Sequence, residues 1–465
     1  MAKPLGHHGA VSTQEHASVA PSPDAEPYPV GDPDLTAGIL ADLEAAPTPY
    51  HAVVRSRALL AEAGFVDVDL AGPLPTTPGR YLAVSGGTLM AWIQQAEHRG
   101  FTVVGAHTDS PNLRVRINPD VTSAGYQQVG MEIYGGVLLN SWLDRGLGLA
   151  GRLSIKGDDG RIEERLVLDD RPLLIIPQLA IHLDREVLSA GLKLDPQKHM
   201  VPLWSLDGAE SSGEGDSVGA LAAHVAGLAG VAPDRIVAWD LMTFDTQAPA
   251  VIGRRRELFS SGRIDNLLSS FCGVRALVGL TEDTGEHART PVLALYDHEE
   301  VGSESATGAA GAFLSSLLER IAAAQGADRS EFLTSLHRSV VVSADGAHAT
   351  NPNYVDRHEP SHKIALNKGV VVKRHANQRY ATDATSEGFI VDVCRSADLP
   401  LQFYQHRNDL PCGSTIGPIT AARLAVPTVD IGAPQLAMHS ARETAGVADV
   451  AYLKDTLAAA WRHGA

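Results

Sequence analysis

The stretch LALYDHEEVGS, residues 293–303, decides how this chain is read. Val292 to Tyr296 form a short, continuous apolar run bounded by charge, which reads as a buried strand. Asp297, His298, Glu299 and Glu300 follow at its C-terminal end. Adjacent carboxylates repel one another, and each is costly to desolvate. A bound cation resolves the conflict by taking one carboxylate as a ligand and leaving the other free to handle protons. Standing alone, such a pair reads as a solvated acidic turn. The rest of the chain changes that reading.

The same form recurs along the sequence. Phe101 to Val104 is a second buried run, and it leads through Gly105 and Ala106 to His107, Thr108 and Asp109. His-x-Asp at a strand end offers a metal ligand with a carboxylate placed to orient its imidazole. Val340 to Val342 is a third run; it ends in Ser343, Ala344 and Asp345, with His348 three residues on. A fourth, GVVVKR, ends in Lys373 and Arg374, and VPTVDIGAPQLAMHSARE runs from a strand into a loop carrying His439. In SGRIDNLLSSFCGVRALVGL a helical pattern begins near Asp265, where the helix dipole favours negative charge.

Strand ends of an open α/β sheet face a common crevice, where ligands bind. His107, Asp265, Glu299, Glu300, Asp345 and His439 are therefore expected to converge. Two histidines and several carboxylates without cysteine suit zinc or a similar borderline metal. The set allows one carboxylate to bridge two ions about 3.5–4 Å apart, with a histidine and a carboxylate completing each. Spacing does not assign the ligands to particular ions.

Around this constellation the chain divides by texture. Residues 1–33, rich in Ala, Pro, Ser, Gly and His, read as a disordered leader. Residues 34–113 and 253–465 carry the strand–helix pattern of a mixed-sheet α/β/α catalytic domain, opening with two amphipathic helices broken at APTPYHA and a hairpin turning at Gly86-Gly87. Between them, residues 114–252 read as an inserted β-rich domain of short strand-like runs: VRIN, MEIYGG, GRLSIKG, ERLVLDD and PLLIIPQLAIHL. Gly157-Asp158-Asp159-Gly160 is a hairpin turn there, and SSGEGDS (211–217) an exposed loop. ATGAAGAFLSSLLERIAAA (306–324) reads as one helix. His182 is the one residue of the insert that stands out, and on spacing alone it reads as structural.

The 465 residues carry a net charge of −17, which argues against nucleic acid or an anionic membrane surface as partner. Three cysteines without a CxxC pair argue against a disulfide framework and against a thiolate zinc site, and point to a reducing, cytoplasmic setting. No apolar run is long enough to span a bilayer, and no signal-type h-region is visible. The chain shows no GxSxG elbow joining a strand to a helix, no Walker-type phosphate loop and no GxGxxG following a strand, which leaves metal-dependent hydrolysis ahead of nucleophilic or nucleotide chemistry. A non-catalytic, metal-stabilised assembly protein is the other reading. It predicts no free carboxylate beside the ligands, and Glu299 beside Glu300 speaks against it.

GAHTDSPNLRV, SGRIDNL, DHEEVGSES, DGAHATNPNY, NQRYATD, RNDLPCGSTIGP and AMHSARE together resemble the aspartyl aminopeptidase family of dinuclear zinc metallopeptidases, over nearly the whole chain from about residue 34. The resemblance implies that His107, Asp265, Glu300, Asp345 and His439 bind two Zn²⁺ ions, replaceable by Co²⁺ or Mn²⁺, with Asp265 bridging. It makes Glu299 the general base for a metal-bound water and Asp109 the group that holds His107. It implies removal of a single N-terminal Asp or Glu from peptides, with Lys373 reading the acidic side chain and His348 and Tyr380 lining the site. It further implies that the insert is a dimerisation domain, that the assembly is a tetrahedral homododecamer built from dimers, and that His182 reaches a neighbouring subunit's site. An N-acyl amino acid deacylase on the same metal site is the alternative. One departure is visible: the family often has PHLAIH where this chain has Pro177-Gln178-Leu179-Ala180-Ile181-His182.

Overall fold

The computed structural model describes residues 31–206, 219–281 and 289–463. The leader, except its last three residues, and the SSGEGDS loop lie outside the described residues.

A nine-stranded mixed sheet forms the centre of the molecule. Its middle strands, Thr290–Tyr296, Phe101–His107, Val340–Ala344 and Thr428–Gly432, run parallel to one another, so their C-terminal ends share one edge. These four strands are buried along their whole length, which explains their unbroken apolar sequence. The predicted hairpin flanks them as Gly79–Ser85 and Thr88–Gln94.

Helices cover both faces. Pro33–Glu44, Pro49–Glu62, Ile264–Val278, Ala384–Ser396 and Val447–Arg462 pack on one side; Phe313–Ala324, Arg329–Leu336 and Ile416–Leu424 pack on the other. The break between the first two helices falls at Ala45–Thr48; Pro49 starts the second at the position where its missing N–H costs nothing. Phe271 lies fully buried in the helix behind the His107 strand. Phe271→Ala is expected to cost about 3–5 kcal/mol of stability, readable as a lowered denaturation midpoint at constant m-value.

A second, six-stranded antiparallel sheet is built from strands between Asn112 and Asp245, with the helix Ala220–Ala229 against it. Its hairpin Leu147–Lys156 to Ile162–Leu174 turns at the predicted Gly157–Gly160. A small five-stranded sheet joins Ala250–Ile252 and Leu258–Ser261 to Glu443–Gly446, Pro434–Leu436 and Ala347–His348.

Three local expectations are corrected. The helix expected over 306–324 begins only at Phe313, because Gly308 packs onto the Ser303 carbonyl with no room for a side chain. In PLLIIPQLAIHL the strand stops at Leu174, and Leu179, Ile181 and Leu183 stand exposed. Asp265 does not sit in regular helix: it and Asn266 have non-helical backbone angles, so the regular turns follow them. Among the described residues, no helix is long and apolar enough to cross a membrane.

Candidate metal centre

The parallel register Tyr296↔His107 sets the ends of the two central strands level. His107 ends one strand; Glu299 and Glu300 follow the other in a single helical turn, Glu299–Val301. Asp345 comes one residue after the Val340–Ala344 strand, on the opposite side of the His107 strand. Asp265 enters from the segment before its helix, and His439 from the loop between Pro434–Leu436 and Glu443–Gly446.

These six side chains come together. His107 Nε2 lies 3.4 Å from Asp265 Oδ1, 3.5 Å from Asp345 Oδ1 and 4.0 Å from Glu299 Oε2. His439 Nε2 lies 3.6 Å from Asp265 Oδ2 and 3.4 Å from Glu300 Oε2. Asp265 thus turns one oxygen toward each histidine. The nearer separations, 3.4–3.6 Å, exceed an ordinary hydrogen bond. They match the edge of a tetrahedron of ligands about 2.0 Å from a zinc ion, roughly 3.3 Å. Asp265 Oδ1 and Glu300 Oε1 are buried without a hydrogen-bond partner. One ligand atom each from His107, Asp265 and Glu300 fall within 4.8 Å of one another. Orphaned carboxylate oxygens and converging imidazoles form a donor set that zinc accepts, so the residues present fit the metal.

The electrostatics agree. Burial pushes the Glu299 carboxyl up to about 8, with Asp345 and Asp109 adding to the effect against His107. Burial likewise drives Glu300 well above the usual carboxylate range. Burial disfavours charge on His439, but the nearby carboxylates of Asp265 and Glu300 outweigh it and hold the ring up at about 10. Negative groups packed this closely demand positive charge from one another's partners, or from a cation.

Asp109 holds the cluster from behind. Its carboxylate accepts the backbone N–H of Glu299 and of Glu300 at 3.1 Å each and lies 3.4 Å from His107 Nδ1. The shorter contact of that ring nitrogen, 2.9 Å, is to the Asp109 backbone carbonyl. Lys373 is buried beside the cluster; its Nζ donates to the carbonyls of Asp345 and Gly346 at 3.2 and 3.1 Å, lies 3.5 Å from Asp345 Oδ2 and sits 5.1 Å above the Tyr380 ring. His348 packs against Tyr404, and burial followed by the charge of Lys373 holds it down at about 4. His182 is not brought to this cluster: it stands in an exposed turn at the surface of the second sheet's unit.

Sequence reasoning missed Glu443. It is buried, with Oε2 accepting the Asp265 N–H at 3.0 Å and Oε1 the His439 N–H at 2.8 Å, so one carboxylate fixes the backbone of two site residues. Its position four residues after His439 in AMHSARE was the available signal. Ser110 and Ser270 were missed too; their hydroxyls donate to the carbonyls of Asp265 and His107 at 2.6 and 2.7 Å.

A mixed sheet whose parallel strand ends gather imidazoles and carboxylates into a zinc-fitting pocket defines a metallohydrolase. The family model described as Aminopeptidase I zinc metalloprotease (M18) matches residues 43–459, and the chain belongs to that family of metallo-aminopeptidases. It is 46% identical over 429 residues to the probable M18 family aminopeptidase 2 of Streptomyces coelicolor, covering 91% of this chain and 96% of the relative. The corresponding protein of Mycobacterium tuberculosis is 48% identical over 421 residues, covering 89% and 95%. Among solved structures, the complex of Ape4 and Nbr1 aligns with a TM-score of 0.88 at 36% identity over 92% of this chain and 85% of that chain. The dodecamer of mApe1 from S. cerevisiae aligns with a TM-score of 0.81 at 26% identity, covering 92% and 97%.

Proposed function

We propose that this M18 aminopeptidase is of the aspartyl type, removing one N-terminal Asp or Glu from peptides at two zinc ions. The observation that carries the acidic preference is the buried ammonium of Lys373, set against Asp345 and the Tyr380 ring at the edge of the cluster. A fixed cation there offers a charge-assisted hydrogen bond to a substrate carboxylate. Tyr380 and the neutral His348 would wall that pocket.

His107, Asp345 and one oxygen of Asp265 would hold one ion; His439, Glu300 and the other oxygen of Asp265 would hold its neighbour. Bound zinc supplies Lewis acidity, which makes water a nucleophile near neutrality and polarises a carbonyl. Co²⁺ or Mn²⁺ would substitute. Glu299, within 4.0 Å of His107 Nε2 yet not needed in either ligand set, takes the proton of the attacking water and returns it to the leaving amine. Asp109 keeps the His107 ring and the Glu299–Glu300 turn in place.

The residues 114–252 would form an inserted dimerisation unit. The relative from S. cerevisiae is described as a dodecamer, and we extend that assembly, with tetrahedral arrangement, to this chain. The exposed turn carrying His182 would then reach a neighbouring subunit's site. The excess of acidic over basic residues fits peptide work in the cytoplasm, away from nucleic acid and membranes.

A panel of N-terminal residues assayed with defined metals tests this reading. Cleavage of Asp and Glu is expected to exceed that of neutral residues. In Lys373→Met, kcat/KM for acidic substrates should fall by about 10–10²-fold, the worth of one hydrogen bond to a charged group, with neutral substrates little changed. Equal loss for both classes would remove Lys373 from substrate recognition. Comparison of a free-amine peptide with its acetylated form separates aminopeptidase from deacylase, and turnover of neither would leave only an assembly role.

A further inference from the structure

The second sheet is not a bystander at the metal centre. Its strand Tyr126–Tyr134 ends in Tyr134-Gly135-Gly136, and this tripeptide touches three of the residues discussed above. The Tyr134 hydroxyl donates to Asp109 Oδ2 at 2.7 Å, the same carboxylate that receives the Glu299 and Glu300 N–H groups. The Gly136 carbonyl lies 3.0 Å from His439 Nδ1. A carbonyl can only accept, so Nδ1 carries a proton, and Nε2 is the nitrogen that would offer its lone pair to a metal held with Asp265 and Glu300. The His439 carbonyl in turn accepts the Leu138 N–H at 3.1 Å.

The glycines are required by the close approach. A Cβ on Gly135 would lie 3.0 Å from the Glu300 Cβ, and Gly135 has φ +74°, a region that penalises side chains. A Cβ on Gly136 would lie 2.9 Å from His439 Nδ1. Partners that fix the tautomer and orientation of metal ligands set metal affinity.

We infer that Tyr134, Gly135 and Gly136 form a positioning clasp through which the second sheet holds the Asp109-anchored Glu299–Glu300 turn and His439 in zinc-binding geometry. The inference rests on the ligand assignment proposed above. The clasp touches no reacting atom; it acts through Asp109, Glu300 and His439.

The test compares the full-length parent, Tyr134→Phe, Gly136→Ala and the control Gly227→Ala, whose added Cβ meets nothing within 4 Å. Zinc affinity is measured by competition with a chromophoric chelator, cobalt-loaded protein by visible absorption, and the metal-free protein by thermal unfolding. Tyr134→Phe and Gly136→Ala are expected to bind zinc about 10–100-fold more weakly, with altered cobalt bands. Metal-free Tyr134→Phe should still unfold cooperatively, at a midpoint lowered by the lost hydrogen bond to Asp109, and the zinc affinity and cobalt bands of Gly227→Ala should match the parent. Parent-like zinc affinity and cobalt bands in Tyr134→Phe would overturn the clasp, as would equal zinc loss in Gly227→Ala. If Gly136→Ala does not fold, the near-isosteric Tyr134→Phe decides alone. A parent that binds no zinc would instead overturn the ligand assignment itself.

Discussion

Asp265→Ala is expected to empty both halves of the metal centre at once. Among the described residues, Asp265 alone has a carboxylate oxygen within 4.0 Å of each histidine, 3.4 Å from His107 Nε2 and 3.6 Å from His439 Nε2. Its backbone N–H bonds Glu443 and its carbonyl receives Ser110, so truncating the side chain leaves the local backbone anchored. On the two-ion assignment proposed above, zinc content after desalting, measured by mass spectrometry, should fall from two ions per chain to near none. Lewis-acid stabilisation is worth several kcal/mol, and about 4 kcal/mol is about 10³-fold in rate, so activity should drop by at least that much. Loss of only one ion would show that Asp265 does not bridge.

Glu299→Gln should give the opposite signature: full zinc and a kcat lowered by about 10²–10⁴-fold, the usual worth of a general base. The amide keeps the side-chain length and the backbone N–H bond to Asp109, and removes only the ability to take a proton. Metal content should therefore match the parent, and KM should change little. Loss of zinc in Glu299→Gln would make Glu299 a ligand and displace the proposed division within the acidic pair. The two variants together separate binding metal from using it.

Much of the site was legible because its residues follow strands that are buried on both faces. Full burial writes itself as an unbroken apolar run, and a charge at the end of such a run is conspicuous. His107, Glu299, Glu300 and Asp345 were found this way. The family resemblance, not the spacing, separated the roles of Glu299 and Glu300, since neighbours in sequence carry identical local signals. Glu443 and Tyr134 were not legible. Glu443 opens a four-residue strand and Tyr134 ends a nine-residue one, and each matters only because another element packs against it. The same holds for Asp265: its helical sequence pattern continues through a backbone that is not helical there.

The sequence by itself determined which side chains are available and which segments end in them, because hydrophobic periodicity depends only on neighbours along the chain. Tertiary structure alone decided their distances. His107 and His439 are brought to opposite oxygens of Asp265 by sheet register, by a loop and by the Glu443 carboxylate, across separations of more than 150 residues. A hydrogen-bonded register specifies positions to fractions of an ångström, which no local pattern encodes. The LALYDHEEVGS stretch thus named the chemistry, and the strand beside it, paired Tyr296 to His107, gave that chemistry its place.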